Sequence, residues 1–246
     1  VVTNARQVDP TCAALVPLAR PVVVGAADTA PAGAIRVIGE PRARNTAPAV
    51  ALATALLART DPAGTMIVLP ADHHIADPLV FRAVLRRAVA AAADGALVTL
   101  GIPPTRPETG YGYIAAETAL GGDKPALRVT AFHEKPDRET AQRFLAAGHY
   151  LWNSGVFVWR VDAILDAFAR HLPSLHALGR EVATCPKAEL EAAVAALYER
   201  ATAISVDYGI MEHHDHVRVV PADVGWSDVG SYGALWELLP KDAAGN

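Results

Sequence analysis

Two continuous apolar runs separated by a helical stretch constrain this chain more than any other feature. Residues 65–69 (TMIVL) and 96–102 (ALVTLGI) are apolar or β-branched without polar alternation, the signature of strands covered on both faces. Between them Asp77-Pro78 opens a segment that places Val80, Phe81, Val84, Leu85 and Val89 along one helical face, and Asp94-Gly95 closes it. Strand, crossover helix and strand make a right-handed parallel unit, so the expected class is α/β. Ligands on such sheets bind beyond the carboxyl ends of the strands. Asp72, in the stretch VLPADHHI (68–75), stands at such an end.

The remaining segments continue the alternation. Asn45 or Thr46 caps a helix that has Pro48 in its first turn and runs to about residue 59. Residues 103–112 (PPTRPETGYG) read as a loop. A strand over 127–132 ends in His133-Glu134-Lys135-Pro136, and Asp137 caps a short helix through Phe144 to Gly148. Asn153-Ser154-Gly155 reads as a turn before a strand at 156–159. Helices are expected over 161–172, 187–200 and 231–239, and a strand over 217–220. Neither a repeat nor a linker interrupts the chain, which reads as one domain with a β-rich part inserted or added.

The totals fit that reading. The chain has 246 residues, enough to bury a sizeable core, and 52% of them are hydrophobic. Its 26 acidic against 22 basic residues leave a net charge of -4, which gives no reason to expect nucleic acid or an anionic membrane as partner. Cys12 and Cys185 lie far apart, without metal-binding spacing, and read as free thiols in a reducing cytoplasm. No apolar run has the length of a membrane span, and no signal peptide is recognisable.

The chemistry-bearing residues fall in loops. Arg42, Arg44, Asn45 and Thr46 stand at a helix N-terminus, where free backbone N–H groups and arginines can hold a phosphate or a base. A capped helix with solvated arginines is the simpler alternative. Asp72 and Asp228 offer two carboxylates of the kind Mg²⁺ takes from a protein, and each also suits a turn or cap. His73-His74 and the cluster His213-His214-Asp215-His216 invite zinc. Adjacent histidines at a strand end point apart, however, and the cluster also suits a solvated turn. Gly110 and Gly112 flank Tyr111 and would let backbone approach a ligand. Glu134 can accept from sugar hydroxyls and Lys135 can pair with a phosphate, or the two form a surface ion pair. Trp152 and Asn153 suit a sugar, and Asp207 precedes a helix start that it could cap. There is no GxSxG, P-loop or Cys beside a base, so covalent catalysis and P-loop chemistry are not indicated.

Taken in order, GEPRARNTAPAVALA (39–53), VLPADHHI (68–75), TLGIPPTRPETGYGYI (99–114), FHEKPDRETA (132–141), LWNSGVFVW (151–159), SVDYGIME (205–212) and VVPADVGWSDVGSY (219–232) resemble the bacterial mannose-1-phosphate guanylyltransferases, or GDP-mannose pyrophosphorylases. The resemblance implies a Rossmann-like nucleotide-diphospho-sugar transferase fold, a mixed, mostly parallel sheet flanked by helices. It implies a nucleotide half over about 1–102 and a sugar-binding half over about 103–232 of a single domain, 1–246. It implies GMP transfer from GTP to mannose 1-phosphate with Mg²⁺. Charge, cysteine usage and the lack of a membrane-length run give the expectation of a cytoplasmic protein without a nucleic-acid or membrane partner, and a homodimer is one of the oligomeric states left open. By the same resemblance Asp72 and Asp228 hold the metal, and Lys135 meets the sugar phosphate. Arg44, Asn45 and Thr46 lie near the nucleotide, and Gly110, Glu134, Asn153 and Asp207 contact the mannose. The family begins with a strand and a glycine-rich triphosphate loop. Here the first residues are Val1-Val2-Thr3-Asn4, so the expectation is an N-terminally truncated member without the C-terminal isomerase domain of bifunctional relatives. A non-catalytic sugar-nucleotide-binding or regulatory relative is the alternative.

Overall fold

The computed structural model describes residues 1–18, 21–26, 31, 33–117 and 126–241. In chain order its strands are β1 (Val2–Asn4), β2 (Val22–Val24), β3 (Ile35–Glu40), β4 (Thr65–Val68), β5 (His74–Ile75), β6 (Leu97–Ile102), β7 (Tyr113–Ala116), β8 (Leu127–His133), β9 (Tyr150–Arg160), β10 (Val217–Pro221) and β11 (Trp226–Ser227). Its α-helices are α1 (Val8–Leu15), α2 (Thr46–Ala58), α3 (Pro78–Ala91), α4 (Arg138–Ala147), α5 (Val161–His171), α6 (Pro173–Thr184), α7 (Leu190–Arg200) and α8 (Tyr232–Leu238). By packing the chain forms two compact units, Val1–Met66 with Arg160–Asp215, and Ile67–Trp159 with His216–Asn246. The halves expected from chain order are therefore not the packing units.

The first unit carries a three-stranded sheet, parallel throughout, in the order β1-β3-β2. Helix α2 is almost entirely Ala, Leu and Val after its Pro48, and the strong helix formers Ala and Leu make up most of it. It buries Ala47, Leu52 and Ala55 and packs on α5, α6 and α7. Helix α6 was not expected. Its signal was present nonetheless: Pro173 stands in the first turn, and Leu175, Leu178 and Val182 recur on the buried side.

The second unit holds a six-stranded mixed sheet in the order β4-β9-β6-β10-β8-β7, and β7 also pairs with β9 so that the sheet curls back on itself. β6 and β10 are parallel, while β8, β7 and β9 join by antiparallel pairings. Every residue of β6 is buried, as its unalternated sequence predicts. Helix α3 covers β6 and β10 with Val84 and Ala88, and Asp77 caps it by accepting from the Leu79 and Val80 amides.

Three local expectations need correction. β4 and β6 are not neighbours, because β9 lies between them. β4 is an edge strand rather than a core strand: Ile67 is 41% and Leu69 50% exposed. Asn153-Ser154-Gly155 is not a turn but lies inside the 11-residue strand β9. Thr99 faces Phe157 and Gly101 faces Asn153, so two steps along β6 oppose four along β9. The excess is taken up as a bulge around Gly155, whose φ of 70° an L side chain rarely adopts.

Candidate active site

β5 and β11 form a two-stranded antiparallel ribbon in which Ile75 faces Trp226 and His74 faces Ser227. His73 directly precedes β5 and Asp228 directly follows β11, so the two leave the same end of the ribbon. The ribbon closes tightly because Gly225, at φ 61°, leaves room for Ala76; a Cβ there would stand 2.5 Å from the Ala76 Cβ. The two carboxylates share a neighbour in His73. Burial lowers the affinity of its ring for a proton, and the negative charges of Asp72 and Asp228 both act in the opposite direction. Trp226 Nε1–H donates to His73 Nδ1 at 3.1 Å, with the rings edge to face at 5.4 Å. That bond fixes the His73 tautomer and holds the ring as a wall of the loop. Among the described residues no group of three or more His, Cys, Asp or Glu side chains is arranged to hold a metal. A hard divalent cation at Asp72 and Asp228 would take its other oxygens from a substrate or from water, the usual habit of Mg²⁺.

Asp228 is tied to the loop that carries Tyr111. Its Oδ1 accepts from the Tyr111 hydroxyl at 2.7 Å and from the Gly230 amide at 3.2 Å. Burial and the Asp228 carboxylate hold the Tyr111 phenol well above its ordinary pKa, so it remains a donor. The next residue, Val229, has φ 51°, a strained value for a β-branched side chain.

The loop 103–112 delivers Tyr111 and two glycines. Burial alone would raise the Glu108 carboxyl, but the Gly110 amide, the Arg106 guanidinium and the Thr109 amide outweigh it and hold the group below its usual range. Gly110 therefore belongs to a turn closed on Glu108. Gly112 is the glycine at the Glu134–Asn153 corner: a Cβ on it would lie 2.5 Å from Glu134 Oε2 and 3.4 Å from Asn153 Cβ. Its carbonyl accepts from the Asn153 amide at 2.8 Å. The Thr99 hydroxyl donates to Asn153 Oδ1 at 2.9 Å. Glu134, largely buried, pairs with the exposed Lys135 ammonium at 3.4 Å. The Lys135 backbone takes φ 47°, and its amide donates to the Tyr111 carbonyl at 3.2 Å. Glu134, Lys135, Asn153 and Asp228 thus gather in the second unit, joined through Tyr111 and Gly112, and Asp72 lies in the same unit next to His73. The close approach expected at Gly112 is made to Glu134 and Asn153, while Tyr111 and Trp226 carry contacts that no sequence signal marks.

A cavity of 330 Å³ opens beside Tyr111, with Arg106, Trp152, Asp223, Trp226 and Glu237 in its lining. The Arg106 guanidinium sits 5.5 Å from the Trp152 ring centroid.

The first unit holds the other candidates. Asn45, at φ 67°, caps α2 by accepting from the Thr46 amide at 2.9 Å. The Thr46 hydroxyl accepts from the Val206 amide at 2.9 Å. Arg44 donates to the Tyr198 and Glu199 carbonyls at 2.9 and 3.2 Å, where it caps the end of α7. Asp207 is the first residue of a π-helical turn, Asp207–Met211. Such turns are frequent at functional sites. The histidine cluster lies in a turn with His213 and His216 exposed, and His171 Nε2 meets His214 Nδ1 at 3.2 Å.

Residues 27–245 match the nucleotidyl transferase family, a span that contains every candidate named above. The chain is 43% identical over 220 residues to the mannose-1-phosphate guanylyltransferase of Escherichia coli K12, covering 85% of this chain and 45% of that protein. It is 40% identical over 215 residues to the alginate biosynthesis protein AlgA of Pseudomonas aeruginosa, covering 85% of this chain and 44% of that protein. It therefore spans less than half the length of these curated relatives. A Thermus thermophilus crystal structure described as a mannose-1-phosphate geranyltransferase superposes with a TM-score of 0.76 at 34% identity, covering 96% of this chain and 70% of that one.

Proposed function

The chain belongs to the nucleotidyl transferase family, and on that premise we propose that it transfers GMP from GTP to mannose 1-phosphate, giving GDP-mannose and pyrophosphate. The observation that supports the reading is the joining, within one unit, of Asp228 to the Glu134–Lys135–Asn153 group through Tyr111 and Gly112, with Asp72 next to the His73 ring that Trp226 holds. The names of the relatives supply the substrates and favour an enzyme over a non-catalytic binding relative.

In this reading Asp72 and Asp228 hold Mg²⁺, which when bound neutralises phosphate charge. Lys135 takes the phosphate of the sugar phosphate. Gly110, Glu134, Asn153 and Asp207 serve the mannose, with Gly112 beside them. Arg44, Asn45 and Thr46 serve the nucleotide, Arg44 by holding the loop. A phosphate oxygen of mannose 1-phosphate attacks the α-phosphorus of GTP in line. The bond from that phosphorus to the bridging oxygen breaks, and pyrophosphate leaves with the electron pair. The side chains contribute position and charge rather than a covalent intermediate. We place the protein in the cytoplasm, as a homodimer; among the described residues no helix is long and apolar enough to cross a membrane.

The test is pyrophosphate release by the chain with mannose 1-phosphate, GTP and Mg²⁺, against EDTA and against glucose 1-phosphate with UTP. Release with the first set alone is the expected result. Equal release with the second pair would overturn the substrate assignment.

A further inference from the structure

We infer that Tyr111 is a positioning residue that sets the Asp228 carboxylate with its hydroxyl and the Lys135 backbone with its carbonyl, so that one residue aligns the cation site with the sugar-phosphate site. The inference rests on the reading just given and deepens it.

Four contacts converge on this residue. The hydroxyl donates to Asp228 Oδ1 at 2.7 Å. The ring is held edge-on by Trp152 at 5.1 Å and by Trp226 at 5.3 Å. The carbonyl accepts from the Lys135 amide at 3.2 Å, at a residue whose φ is 47°. Trp226 in turn bonds His73, the residue next to Asp72. A donor on one carboxylate oxygen orients a ligating carboxylate. The phenol is suited to the task because two flanking indoles leave its ring little freedom. At the other end, a lysine with a left-handed backbone needs an outside restraint to stay there, and the Tyr111 carbonyl provides one. Gly112 continues the connection through its carbonyl to Asn153. The short turn from Tyr111 to Gly112 therefore touches cation, phosphate and sugar residues in succession.

The experiment uses the full chain as wild type, Tyr111→Phe and Tyr111→Ala. Mn²⁺ binding in the presence of GTP is followed by electron paramagnetic resonance, beside KM for mannose 1-phosphate and the thermal melt. Tyr111→Phe keeps ring and carbonyl and loses only the hydroxyl. It is expected to weaken Mn²⁺ by about 10-fold with KM and melt unchanged. Tyr111→Ala also removes the ring that fixes the turn, and KM should rise in that variant alone. Wild-type Mn²⁺ affinity in Tyr111→Phe would overturn the inference, as would a loss of Mn²⁺ binding matched by an equal loss of thermal stability. An unaltered KM in Tyr111→Ala would overturn the Lys135 half. A wild type that binds no Mn²⁺ and releases no pyrophosphate would overturn the functional reading itself, and the inference with it.

Discussion

Among the described residues Asn45, Lys135 and Val229 are the non-glycine positions with positive φ, and each is a candidate site residue or adjoins one. Such conformations cost about 1–3 kcal/mol each and persist only where the surroundings impose them. Asn45 is held by its cap, Lys135 by the Tyr111 carbonyl, and Val229 by the Ser227 and Asp228 side chains on either side of its peptide. Asp72, Glu134 and Lys135 could be singled out because charged side chains just past apolar runs stand out, while the roles proposed for them rest on the resemblance. Tyr111 could not be singled out, since its partner Asp228 lies 117 positions away and an aromatic in a loop carries no local mark. Asp228→Asn and Asp72→Asn should keep the fold and lower Mg²⁺-dependent pyrophosphate release by more than the roughly 100-fold that loss of an outer partner costs. His74→Ala should change it little, because His73 makes the bond to Trp226. Retained turnover in either Asp variant would refute the cation assignment.

At the scale of elements, pattern and cap together marked helices correctly wherever the two agreed. Helix α2 is capped by Asn45, one of the two residues expected, and α3 and α4 by the expected Asp77 and Asp137. The sequence misled at Asn153-Ser154-Gly155, where turn chemistry is used for a bulge, because only the partner strand's register distinguishes the two. Gly155→Ala tests that account. The nearest atoms to its added Cβ are Pro70 Cγ at 3.6 Å and His73 Cε1 at 3.8 Å, ordinary contacts. The cost should therefore be conformational, about 1–2 kcal/mol by urea denaturation, and a neutral result would remove the bulge argument. Strand β3 carries a second test. Burial raises the Glu40 carboxyl above its ordinary pKa, and the nearby Tyr198 hydroxyl only partly opposes this. A carboxyl whose folded pKa is raised favours the folded state at low pH, and that contribution is lost as pH rises from the unfolded value through the folded one. Glu40→Gln should flatten the fall in stability over that acid window; an unchanged pH profile would contradict the shift.

At the scale of the molecule, local pattern could identify strands but not which distant segments close one sheet. The expected division follows chain order, whereas each packing unit draws on two separated stretches. In the second unit β10, from the later stretch, lies between β6 and β8 of the earlier one, with Val219 and Val220 fully buried. A chain ending after Asp215 would lack β10, and with it β11 and Asp228. The amides of β6 that pair with β10 would lose their partners, and an unpaired buried N–H is too costly to remain. The first unit retains both of its stretches in that truncation, including α2 and the three helices it packs on. Hydrogen exchange should therefore show protection lost across β6 and β8 and kept in α2, α5, α6 and α7. Protection lost everywhere would mean that the two units fold only as one cooperative body. Protection kept in β6 would mean that β10 is dispensable to the sheet at whose middle it lies.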